Sequence, residues 1–176
     1  MKNIKSLYPL IIAVVGALML IITFFLPFAS AKGDYREALL KNPDEVFLQE
    51  ADMKSGDAVD ISLLEFIKID AAAGTSQGAT LVNMIVIIAY GVFAVLTLLF
   101  SILRKPIAII IFDIISLVVM LILKFDFEDR GVVPSNLYDL GIAQVICFIG
   151  IAIAAVGAVI MLVTKIIDKK SAAVTQ

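Results

Sequence analysis

Four stretches of the chain are apolar at nearly every position: Tyr8–Ala31, Thr80–Leu103, Pro106–Leu123 and Leu140–Thr164, with 24, 24, 18 and 25 residues. Three of them contain no charge, and the third contains one, Asp113. A helix that crosses a hydrocarbon core needs about 20 mainly apolar residues. Without water each span must satisfy its own backbone, so all four read as α-helices and not as the alternating strands of about 10 residues that build a membrane barrel. The pattern predicts an all-α integral membrane protein. Its architecture is a four-helix transmembrane bundle with an extracytoplasmic cap of about 48 residues between helices 1 and 2, a short outer loop over 124–139 and a tail over 165–176, the whole chain 1–176 forming a single membrane domain.

The start of the chain also allows a second reading. Met1 to Lys5 is a short basic segment, and Ala29-Ser30-Ala31, just after Pro27, has the small-x-small pattern of a signal-peptidase site. The apolar run from Leu10 to Phe28 is 19 residues, longer than a signal core of about 7–15, which favours a retained helix over a cleaved signal.

Within the spans, small and polar residues fall on single helical faces. In the second, Asn83, Ile87, Tyr90, Ala94, Thr97 and Ser101 follow one another at steps of four and three; in the fourth, Ala143, Cys147, Gly150, Ala154 and Gly157 do the same. Lipid gives helices little hydrophobic reason to associate, so small residues that admit close backbone approach are expected to pack the bundle. Gly16, Gly150, Ala154 and Gly157 are the expected packing positions. Arg104-Lys105-Pro106 leaves no slack between spans two and three, which must form a tight antiparallel hairpin, with Pro106 in the first turn where its missing N–H costs nothing.

Charge orients the bundle. Lys2, Lys5, Arg104, Lys105, Lys165, Lys169 and Lys170 share one side with a single acid, Asp168, whereas the other side carries fourteen acids against seven cations. The positive-inside rule then puts both termini in the cytoplasm of a multi-pass protein of the cell membrane. Short inner segments and absent disulfides are compatible with a bacterial plasma membrane. Over the whole chain, 61% of residues are apolar and 17% charged, against roughly 25% charged in soluble domains.

The same composition narrows the chemistry. A net charge of −2 offers no basic field for nucleic acid. There is no histidine, the commonest metal ligand and neutral-pH base, and Cys147 is the only cysteine, so a multi-cysteine metal site and an internal disulfide are excluded. No phosphate loop, nucleophile elbow, HExxH or paired intramembrane acid is present. The expectation is no catalytic residue, no cofactor, no metal site and no enzyme activity.

Asp113 stands apart. A carboxylate at this depth costs about 2.5–3.5 kcal/mol on insertion scales, and such residues usually face protein or water and mark function. Seven residues past Pro106, it lies roughly 10 Å into the span, level with Gly16, Leu96 or Thr97, and Gly157. Ser116 shares its face, and no cation lies at its depth, so an uncharged Asp113 bonded to Thr97 or Ser116 is one arrangement. Asp113, Ser116, Thr97 and Tyr90 form the candidate intramembrane polar site. It reads as a structural polar clamp, a proton- or cation-coupling site, or a contact for a partner subunit.

Between Lys32 and Ala79, Asp34 to Asn42 suits a short helix, and Ser62 and Glu65 have capping-box spacing for another from about Leu63 to Ala72. The alternation of Val59, Ile61 and Leu63 argues for a strand there instead. Gly74-Thr75-Ser76-Gln77-Gly78 reads as a flexible exit. The cap is expected to rest its apolar residues, Tyr35, Leu39, Phe47, Leu63, Leu64 and Phe66, on the bundle rim. Its acids read as a solvated surface, since neither Asp57 with Asp60 nor Asp126 with Glu128 and Asp129 has the spacing of an EF-hand.

The order of helix, large outer loop, tight inner hairpin, shorter outer loop and last helix resembles claudin-type tetraspan architecture. The resemblance is one of topology: the first outer loop has neither the tryptophan nor the cysteine pair of claudins, and no residue role is carried over. The expected role is that of a non-catalytic accessory, sensor or scaffold protein acting through its outer cap or a bundle face. The alternative is a small oligomeric transporter or channel component using Asp113. The expected partners are the lipid bilayer and a membrane protein or further copies of the chain, and not nucleic acid.

Overall fold

The computed structural model describes residues 7–74 and 78–174. Lys2, Lys5 and the Thr75 to Gln77 part of the expected exit lie outside them. The protein is mostly helical, 75%. Three helices are long and apolar enough to cross a membrane: α4 (Gly78–Ile102), α5 (Pro106–Asp129) and α6 (Ile142–Val174). A shorter apolar helix, α1 (Leu7–Thr23), has 17 residues.

The chain is not all-α. Between α1 and α4 come β1 (Pro27–Ala31), α2 (Gly33–Lys41), β2 (Val46–Leu48), β3 (Met53–Lys54), β4 (Asp60–Ser62) and α3 (Leu63–Ala73); β5 (Tyr138–Leu140) precedes α6. The chain divides into two compact units.

The first unit takes α1 up to Ile21, α4 from Val92, α5 up to Val118 and α6 from Cys147. Ala13 of α1, Ile109 of α5 and Ala158 of α6 are fully buried in one cluster with Met161, and Phe100 and Ile110 pack on it. α1 meets α6 through the expected small residues. A Cβ on Gly16 would strike the Ala154 backbone and stand 2.6 Å from the Gly150 carbonyl oxygen, and one on Gly157 would stand 2.8 Å from Ala13 Cα. The hairpin is as tight as predicted. Arg104 turns the chain at φ +54°, its N–H and that of Lys105 donate to Ser101 and Phe100 at 3.0 Å, and Lys165 Nζ donates to the Arg104 carbonyl at 2.5 Å.

The second unit holds residues from Ile22 to Gly91 and from Val119 to Ile146. Here the first expected span, Tyr8–Ala31, is corrected: the helix stops at Thr23, and Pro27–Ala31 is the central strand of an antiparallel sheet in the order β4-β1-β5. Pro27 has no N–H for a helix and disfavours helical geometry at Leu26. Beyond it Ala29 pairs with Ile61 on one side and Leu140 on the other. A Cβ on Gly141 would meet the Pro27 carbonyl carbon at 2.6 Å, so only glycine lets the chain leave β5 here.

Over 58–72 both local readings hold, in succession. Asp60–Ser62 is a strand, and Ser62 then caps α3 with a complete capping box, Glu65 N–H to Ser62 Oγ at 3.3 Å and Ser62 N–H to Glu65 Oε2 at 2.6 Å. Phe28, Phe66 and Phe127 form the aromatic core, with ring centres 4.7–6.1 Å apart. Leu39, Leu63 and Phe66 are buried, whereas Phe47 and Leu64 are exposed, because the β2–β3 ribbon carries Phe47 outward and Leu64 lies on the outer side of α3.

Helix ends also move outward. α5 continues through the expected loop from Lys124 to Asp129, carried by i,i+4 pairs Lys124–Glu128 and Asp126–Arg130, and α6 continues through the expected tail to Val174.

Tyr138 ties β5 to the segment between α1 and α4. Its hydroxyl donates to the carbonyl of buried Ala58 at 2.7 Å while its ring meets Tyr35 edge-on at 5.6 Å. Burial, with the Tyr35 hydroxyl, pushes the phenol well above its ordinary range, so it remains a donor. Tyr138→Phe keeps the ring and removes the bond. It is expected to cost about 1 kcal/mol, read as a lower unfolding midpoint in detergent; an unchanged midpoint would refute the tie.

Candidate functional site

In the first unit Asp113 lies on α5 at 2% exposure, and Thr97, Ser101 and Ser116 are fully buried. The helices bury these groups but do not bond them together. Thr97 Oγ1 donates to the Phe93 carbonyl at 2.9 Å, Ser101 Oγ to that of Thr97 at 2.7 Å, and Ser116 Oγ to that of Phe112 at 2.9 Å, all four residues back on their own helices. Asp113 Oδ1 has no hydrogen-bond partner among the described residues. Phe112, one residue before it, lies flat on Phe100 at 5.2 Å with 5° between the rings, and stacks on Phe93 at 6.2 Å. Tyr90 is fully buried but belongs to the second unit.

A second polar group, which sequence reasoning missed, lies in the second unit. Asn83 of α4 donates through Nδ2 to the Asp70 carboxylate of α3. Burial lifts the Asp70 carboxyl above its ordinary 3.8, against lowering by the Asn83 bond and the Arg130 charge. Asn83 Oδ1 and Gln144 Nε2 are buried without partners among the described residues. A small cavity of about 60 Å³ opens beside Asn83 and Asp126. The signals were the lone amides Asn83 and Gln144 at the ends of otherwise apolar helices; the docking of α3 that supplies Asp70 had no local signature.

On the surface of the second unit, Arg36 grips Asp60 with both nitrogens at 3.2–3.3 Å. Burial alone would raise the Asp60 carboxyl, but the Ser30 bond and Arg36 outweigh it and hold it below its usual range. No group of three or more carboxylate or thiol side chains among the described residues is arranged to hold a metal ion. Gly16, Gly150, Ala154 and Gly157 lie where α1 and α6 approach closely. The chain matches no known protein family, no curated protein and no solved structure.

Proposed function

We propose that the protein is a small multi-pass protein of the plasma membrane that works without catalysis, as an accessory, sensor or scaffold, and meets its partner through a folded extracytoplasmic cap. In this reading α1 is the fourth span, its 17 residues lying at the lower limit for a crossing helix. Both termini are cytoplasmic, in keeping with seven cations against one acid on that side. Retention of α1 is supported by Ala29-Ser30-Ala31, which is bonded on both edges as a central strand.

The observation that carries the proposal is the cap itself. Residues 27–73 supply two strands of the three-stranded sheet, a ribbon, two helices and Phe28 and Phe66 of the aromatic core, more structure than a connector needs, yet Val46 at 66% and Phe47 at 40% remain exposed. Val46 and Phe47 are successive residues of β2 and so expose an apolar side chain on each face of the ribbon, a surface that a partner would cover.

A transporter or channel built on Asp113 is the second reading, favoured by its unpartnered Oδ1. Against it, the neighbouring hydroxyls are turned to their own helices, and α4 to α6 are continuous where transporters usually break.

Co-purification in mild detergent separates the two. A stoichiometric membrane-protein partner is expected with the wild-type chain and is expected to be lost in Val46→Asp with Phe47→Asp, at an unchanged unfolding midpoint. A partner that survives both substitutions would remove the cap from the interface, and solute flux in vesicles that depends on Asp113 would favour the second reading.

A further inference from the structure

A groove of about 460 Å³ lies in the first unit, between the start of α5 and the last part of α6. Its floor is apolar, formed by Phe100, Ile107, Ile111 and Leu162. Its mouth carries two cations, Lys105 and Lys165, and no acid lines it. We propose that this groove holds one anionic phospholipid, with an acyl chain along the floor and the phosphate between the two lysines.

Charge and shape select that occupant together. Ile107 and Ile111 are 62% and 50% exposed, and on helices that lie in a bilayer such faces are covered by acyl chains. A groove confined to apolar side chains would accept any lipid. This one ends at two ammonium groups on exposed residues, in a region where the described cations Arg104, Lys105, Lys165, Lys169 and Lys170 face a single described acid, Asp168, so it discriminates by headgroup. Lys165 spends one of its three donors on the Arg104 carbonyl and keeps two. Lys105 has no ion pair among the described residues.

The backbone adds to the same preference. Pro106 has no N–H to offer, and the Ile109 N–H is taken by the Lys105 carbonyl at 3.1 Å. The N–H groups of Ile107 and Ala108 are therefore the first-turn donors of a 24-residue helix without an intrahelical acceptor, and both residues line the groove. The positive end of the helix favours an anion there. A zwitterionic headgroup brings its own cation to the two lysines and loses most of this advantage.

The chain has no tryptophan, so a single introduced one reports its own lipid neighbours. In vesicles, Ile111→Trp is expected to be quenched by brominated phosphatidylglycerol at a lower mole fraction than by brominated phosphatidylcholine, by about fivefold for each lysine. The preference is expected to vanish when Lys105→Gln and Lys165→Gln are added. Val118→Trp, at a 48% exposed position on the same helix away from the groove, is expected to be quenched equally by both lipids. Equal quenching at Ile111→Trp, or a preference that survives loss of both lysines, would overturn the site. The inference rests on the bilayer placement of these helices, and Val118→Trp tests that separately: no quenching there by either lipid would overturn the placement and the site with it.

Discussion

Gly16→Ala is expected to destabilise the protein by about 1–3 kcal/mol, and Gly157→Ala to do the same, although alanine is the better helix former by about 1 kcal/mol at an interior position. The reason is what the new methyl would meet. At Gly16 it strikes the Ala154 backbone and the Gly150 carbonyl oxygen, and at Gly157 it falls 2.8 Å from Ala13 Cα. These are backbone atoms of a facing helix, which cannot turn aside as a side chain can; relief requires α1 and α6 to separate. Separation would undo the packing of Ala13, Ile109 and Ala158, all fully buried. Gly91→Ala is the control, because its Cβ would meet only the edge of the Phe24 ring, at 3.2 Å. A ring can shift, so helix propensity should win and leave Gly91→Ala neutral or slightly stabilised. The measurement is the unfolding midpoint in detergent with the monodisperse fraction. Unchanged midpoints for Gly16→Ala and Gly157→Ala would mean that α1 and α6 do not meet as described.

That contact was legible in the sequence because it is periodic. Small residues at steps of four and three mark a face in any helix, and Ala143, Cys147, Gly150, Ala154 and Gly157 are all buried. The same holds for Asn83 through Ser101 on α4. The capping box at Ser62 and Glu65 and the hairpin at Arg104-Lys105-Pro106 were legible because they are local, each needing only four or five residues.

What escaped was non-local. Ala29-Ser30-Ala31 has no alternation and little β-propensity, and it becomes a strand through partners about 30 residues away in β4 and about 110 away in β5. Small residues suit a strand flanked on both edges, but the same residues suit a signal-peptidase site, and nothing in the segment separates the two. Asp70 is a parallel case. On α3 it reads as one more surface acid, and only the docking of α3 against α4 joins it to Asn83. The extension of α5 past Leu123 was legible and missed: Lys124 with Glu128 and Asp126 with Arg130 are i,i+4 pairs that stabilise a helix leaving the apolar region.

Asp113 was legible as an anomaly, and its surroundings sharpen what it should do. A polar clamp requires bonds, and both hydroxyls offered by the sequence, Thr97 and Ser116, donate to their own helix backbones. With Oδ1 unpartnered among the described residues at 2% exposure, the carboxyl bears a desolvation cost that no hydrogen bond to this oxygen offsets. Asp113→Leu keeps the branched shape, removes the unsatisfied oxygen and is expected to raise stability, by about 2–3 kcal/mol if the insertion cost of the carboxylate is recovered. Asp113→Asn keeps the polar burden and is expected to gain much less. The check is the unfolding midpoint of both variants in the same detergent. A large loss with Asp113→Leu would restore the clamp, since only a carboxyl that bonds to a neighbouring helix is missed when an apolar group of its shape replaces it. A gain would mean that residue 113 is an acid at the expense of folding, and a side chain kept against stability inside a helix long and apolar enough to cross a membrane is best explained by a proton, a cation or a partner that it meets.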